Sequence, residues 1–87
     1  MNQEPRTYSG NVSDEDIKKI AAEIFKFSQE QGLLWDMFPQ QNEVSKYYEI
    51  ALTDEDGNGE EYWSFESEDV ANKVIEQLGV LVEAENQ

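Results

Sequence analysis

Residues 47–78, YYEIALTDEDGNGEEYWSFESEDVANKVIEQL, constrain the fold of this chain more than any other stretch. Tyr48, Ile50 and Leu52 alternate with Tyr47, Glu49, Ala51 and Thr53, the period of two by which a strand presents one apolar face. Val44, Tyr47, Tyr48, Ala51 and Leu52 also fit a helical face, but aromatic and β-branched enrichment and the residues that follow favour a strand. Those residues are DEDGNGEE, with Asp-Gly and Asn-Gly dipeptides, and then the aromatic run EYWSF, a strong hairpin signal. A loop with an even number of residues brings the two apolar sets to one face. A four-residue loop over residues 56–59 sets Leu52 opposite Trp63 and Ile50 opposite Phe65. Ser67 then reads as an N-cap with Glu68 and Asp69 in the first turn. Val70, Ala71, Val74, Ile75 and Leu78 form the inward face of a helix that Gly79 is expected to stop. Residues 80–82 suit a short strand or a packed tail, and residues 83–87 should fray.

On the other side of the hairpin, residues 1–12 carry Pro5, Gly10 and small polar residues without a period, and read as an irregular arm whose Tyr8 can dock on the body. Ser13 followed by Asp14, Glu15 and Asp16 starts a helix, because unpaired N–H groups and the helix dipole favour acids in the first turn. Ile17, Ile20, Ala21, Ile24, Phe27 and Gln31 keep spacings of three and four up to Gly32, the expected left-handed stop. The apolar run Leu33, Leu34, Trp35, Met37 and Phe38 is either a short strand or one helical turn before Pro39. It either closes the core or forms an exposed patch, and Gln40, Gln41 and Asn42 form a polar connector. The expected architecture is a small α+β domain over residues 13–82 in the order α-β-β-α. An antiparallel hairpin sheet, with room for a third short strand, packs against two helices.

The chain has 87 residues and neither cysteine nor histidine, so thiolate nucleophiles, imidazole bases and the two commonest transition-metal ligands are missing. No phosphate loop, serine elbow or dinucleotide fingerprint is present, and the acids lie at caps and turns where water keeps them ionised. Neither an enzyme nor a cofactor is expected. The N-terminal MNQEPRTYSGNV lacks a basic region followed by an apolar run, and no stretch approaches the roughly 18 apolar residues of a membrane span. A soluble, cytoplasmic protein is therefore expected.

Twenty acids against six bases give a net charge of −14, which repels nucleic acid phosphates and anionic lipid and makes a basic protein surface or a cation the natural complement. Eight of the acids, Asp54, Glu55, Asp56, Glu60, Glu61, Glu66, Glu68 and Asp69, fall in residues 54–69 without one base. They read either as a solvated hairpin tip or as a surface imitating nucleic acid phosphates. A calcium loop is a lesser alternative. Counting from Asp54, the residues Asp54, Asp56, Asn58, Gly59 and Glu60 suit it, but position twelve is Phe65 where a bidentate glutamate is needed.

EDGNGEEYWSFESEDVANKVIEQL resembles the central part of small acidic phage-encoded anti-CRISPR proteins that block type II effector nucleases. The resemblance implies a DNA mimic in which a helix, an antiparallel sheet with a DGN-type turn and a following helix display acids. It implies that the same eight acids contact the basic groove that reads the DNA motif beside the target. The expected function is thus a non-enzymatic acidic inhibitor that binds a nucleic-acid-binding protein. The alternative is a protein-protein interaction module that docks through Leu34, Trp35, Met37 and Phe38.

Overall fold

The structure, a computed structural model, describes residues 6–56 and 61–85. The chain runs β1 (Thr7–Tyr8), α1 (Asp14–Gln31), β2 (Leu34–Trp35), β3 (Gln40–Gln41), β4 (Tyr48–Thr53), β5 (Glu61–Phe65) and α2 (Glu68–Glu85). This is a small α+β domain whose mixed sheet is richer than the α-β-β-α order expected from the sequence. β4 and β5 pair antiparallel at its centre, β1 joins β5 in parallel, and β2 and β3 both pair antiparallel with the far side of β4.

Both helices start as the sequence dictates. Ser13 Oγ accepts the Asp16 N–H at 3.2 Å, and Gly32 closes α1 in the left-handed conformation at φ 67°. Ser67 Oγ accepts the Val70 N–H at 3.4 Å at the head of α2. The two helices pack on each other over one face of the sheet. Ile17, Ile20, Ala21 and Ile24 of α1 meet Val70, Ala71, Val74 and Leu78 of α2 above Ile50, Leu52, Trp63 and Phe65. Full burial of such side chains contributes about 1.5–3 kcal/mol each. Glu49, Ala51, Thr53, Tyr62 and Ser64 alternate onto the opposite face.

The hairpin exists, but its register is two residues from the expected one. Ile50 faces Trp63, Tyr48 faces Phe65 and Leu52 faces Glu61. A shift of two preserves facing, so the apolar sets still share the core side. Leu52 with Glu61 is the described pair nearest the turn, and of the expected loop 56–59 the residues 57–59 lie outside the described residues.

The N-terminal arm and the polar connector, read from sequence as irregular, contain strands, and the apolar run takes the short-strand alternative at Leu34 and Trp35. In the N-terminal arm, Thr7 and Tyr8 pair with β5 because the Ser64 N–H donates to Arg6 O at 2.7 Å and the Glu66 N–H to Tyr8 O at 2.9 Å. Leu34 and Trp35 of the apolar run, and Gln40 and Gln41 of the polar connector, both extend along β4. Two residues make too short a strand to show a period. Between β2 and β3, residues 36–39 span only Ile50 and Ala51 on β4, so two extra residues bulge from the edge. Pro39, lacking an N–H, belongs at such an interruption.

Gly79 does not stop α2, which continues through residues 80–82 and on to Glu85, into the tail expected to fray. Leu81 adds partly buried surface to the core, and this contact holds the helix past a glycine that ends helices only when the chain must turn. No atom lies within 4 Å of a Cβ built at Gly79. Gly79→Ala is therefore expected to stabilise the domain by about 1 kcal/mol, read as a raised urea midpoint at unchanged slope.

Candidate partner interface

Of the eight acids of residues 54–69, the seven among the described residues do not form one patch. Those beside the hairpin connection and those at the head of α2 flank opposite ends of β5, and from Glu61 to Glu66 the strand spans about 17 Å. At the connection, Asp54 Oδ1 accepts the Asp56 N–H at 2.9 Å, fixing an Asx turn that leaves Glu55 and Asp56 exposed. Asn58 and Glu60 lie outside the described residues. At the far end Glu68 is exposed, and exposed Asp69 pairs with Lys73 at 3.3 Å.

Glu61 and Glu66 serve the fold. Glu61 is half-buried and holds Arg6 at 3.0 Å, while Arg6 lies over the rings of Trp63 at 4.3 Å and Phe27 at 5.1 Å. Glu66 Oε1 accepts the Gly10 N–H at 2.6 Å, fastening the residues just after β1. Arg6 is thus a key residue that sequence reading missed. It sits in an aperiodic arm, and nothing local announces that its partners lie on β5 and α1.

Leu34, Met37 and Phe38 are 63%, 71% and 77% exposed, so of the apolar run only Leu33 enters the core. Trp35 is half-buried and meets Phe25 of α1 edge-on at 6.3 Å. At the base of the bulge, the Gln40 side-chain amide donates to Asp36 Oδ2 at 3.4 Å. The core-closing reading of Leu34, Met37 and Phe38 is corrected: Leu34 pairs with Thr53 and alternates onto the face away from the helices, and Met37 and Phe38 stand in the two-residue bulge before Pro39.

Of the calcium-loop residues, Asn58, Gly59 and Glu60 lie outside the described residues, and Asp54 and Asp56 sit on the turn after β4. The segment joins two strands instead of two helices, and Phe65, at the position of the bidentate ligand, is fully buried. Among the described residues no group of three or more Asp and Glu is placed to hold a metal ion.

A cleft of about 780 Å³ lies between the β1 arm and α1, lined by Tyr8, Val12, Asp16, Lys19 and Glu23 among others. Tyr8 stacks on Phe65 at 5.2 Å. Burial raises its phenol above the ordinary range, the charge of Glu23 adds to this and Arg6 opposes it. No helix among the described residues is long and apolar enough to cross a membrane. Comparison with protein-family models, with curated proteins and with solved structures finds no match for this chain.

Proposed function

We propose that this protein is a non-enzymatic acidic inhibitor that occupies a basic, nucleic-acid-binding surface of a partner protein as a DNA mimic. The observation that carries the reading is uncompensated charge. Against a net charge of −14, the described residues form two ion pairs, Arg6 with Glu61 and Lys73 with Asp69. The negative field is therefore left to be met by a partner. Type II effector nucleases are the candidate partners, on the resemblance of the hairpin and following helix to small acidic anti-CRISPR proteins.

The test is competition with a target duplex for a guide-loaded type II nuclease, followed by fluorescence anisotropy. Inhibition should weaken steeply between about 50 and about 300 mM salt, since exposed charges are screened over roughly 8–10 Å. Joint replacement Glu55→Lys, Asp56→Lys and Glu68→Lys should weaken binding roughly 10- to 100-fold. These three are exposed, whereas reversal of Glu61 or Glu66 would also disturb the fold. Affinity indifferent to salt and to the triple reversal would reject mimicry. Failure to inhibit that nuclease, with salt-dependent binding to another DNA-binding protein, would reject only the anti-CRISPR assignment.

A second reading rests on a separate observation, the exposure of Leu34, Met37 and Phe38. On that reading the protein is an interaction module docking through this patch, and the charge serves solubility.

A further inference from the structure

The exposed bulge and the acidic turn lie on one edge of the sheet. Leu34 is the Cα partner of Thr53, and Asp54 follows directly. Met37 and Phe38 project from the bulge opposite Ile50 and Ala51, about 10 Å along β4 from the turn. We propose that residues 34–38 form the apolar anchor of the interface whose charged part is the turn around Glu55 and Asp56, and that its occupant is a protein surface with an apolar socket rimmed by lysine and arginine. The inference rests on the acidic-mimic reading and gives that interface its hot spot.

Two properties support an anchor over an accidental exposure. The bulge is braced at its base: Trp35 rests on Phe25, Leu33 is buried, and the Gln40 amide reaches Asp36 across Pro39. Side chains presented by a rigid base lose little further freedom on binding, and aromatic or methionine side chains that fill a pocket dominate interface energetics. Edge bulges commonly re-aim side chains in this way.

The choice of occupant follows from charge. Asp36 stands within the bulge, and Glu55 and Asp56 stand exposed beside it, so any surface that covers Phe38 must also accept acids. A second copy of this chain would set those acids against their equivalents, with a charge of −14 on each side. An anionic bilayer is repelled in the same way.

The test uses the isotopically labelled full chain and two synthetic peptides of equal positive charge, an amphipathic leucine-lysine helix and a serine-lysine peptide without apolar residues. The leucine-lysine peptide should shift the amides of residues 34–38, 40, 41 and 54–56, and the serine-lysine peptide those of the turn alone, at least about tenfold more weakly. Met37→Ser with Phe38→Ser, both at exposed positions, should keep the urea midpoint. It should lower affinity for the leucine-lysine peptide about tenfold or more with the salt dependence unchanged. Glu55→Gln with Asp56→Asn should instead flatten the salt dependence. Salt-dependent binding indifferent to the serine pair overturns the anchor while leaving the acidic-mimic reading intact. Anchor-dependent binding indifferent to salt overturns the charge-based reading and with it the basic rim. Sedimentation that reveals a Phe38-dependent dimer overturns the proposed occupant in favour of a second copy.

Discussion

Replacing Trp63 with alanine is expected to leave the domain largely unfolded at room temperature. The side chain is fully buried, meets Phe27 edge-on with ring centroids 5.7 Å apart, and carries the Arg6 guanidinium 4.3 Å above its ring. Its indole N–H points to Glu23 Oε2 at 3.5 Å. Truncating a buried tryptophan costs about 3–5 kcal/mol, and loss of the cation–π contact adds roughly 1 kcal/mol. For 87 residues the typical total stability is about 4–13 kcal/mol, and self-repulsion at net charge −14 pulls against it. The loss is therefore comparable with the whole reserve. Urea unfolding followed by circular dichroism checks this, with Trp63→Phe as the control that keeps a ring under Arg6 and should lose about half as much. A Trp63→Ala protein that unfolds cooperatively within about 1 kcal/mol of the parent would show that this ring is not the centre of the core.

The second large effect is expected at Arg6. Replacement by methionine keeps the aliphatic stem but leaves Glu61 without its cation in a site where the two side chains are 23% and 30% exposed. Partial exposure places the loss below that of a fully buried pair. With the cation–π contacts to Trp63 and Phe27 removed as well, the cost is about 2–3 kcal/mol. The local consequence is release of β1. Hydrogen exchange should accelerate first at the Ser64 and Glu66 amides, whose acceptors are the carbonyls of Arg6 and Tyr8. Combining Arg6→Met with Glu61→Gln should restore roughly 1 kcal/mol, because the stranded carboxylate is then gone. An Arg6→Met protein with unchanged exchange at Ser64 and Glu66 would mean that β1 is held by Tyr8 and Glu66 alone.

Arg6 also separates the two uses to which the acids are put. Glu61 and Glu66 belong to the same eight-residue acidic set as Glu55, Asp56 and Glu68, and composition treats them alike. In the fold, Glu61 and Glu66 fasten the N-terminal segment to β5, while Glu55, Asp56 and Glu68 face solvent. Mutagenesis of the acidic surface that ignores this division would confuse unfolding with loss of binding.

Features set by short-range chemistry were legible in the sequence. Ser13 and Ser67 as caps, Gly32 as the left-handed stop, the stripe of α1 from Ile17 to Ile24 and the shared apolar face of β4 and β5 each follow from residues within a few positions of one another, whereas Gln31, expected on that stripe, is exposed and Ser28 is buried. Local geometry there admits few alternatives. What only the tertiary structure decided depends on partners far along the chain. The register of Ile50 against Trp63, the recruitment of Thr7 and Tyr8 as a parallel strand, and the continuation of α2 past Gly79 are of this kind. So is the projection of Met37 and Phe38 from a bulged edge. In each case a local preference was weak, worth about 1 kcal/mol or less, and a long-range contact of equal or greater strength settled it. Charge belongs to both levels. The sequence by itself sets its amount, and the fold decides which carboxylates are engaged within the chain, Glu61 by Arg6 and Glu66 by the Gly10 amide, and which stand in solvent.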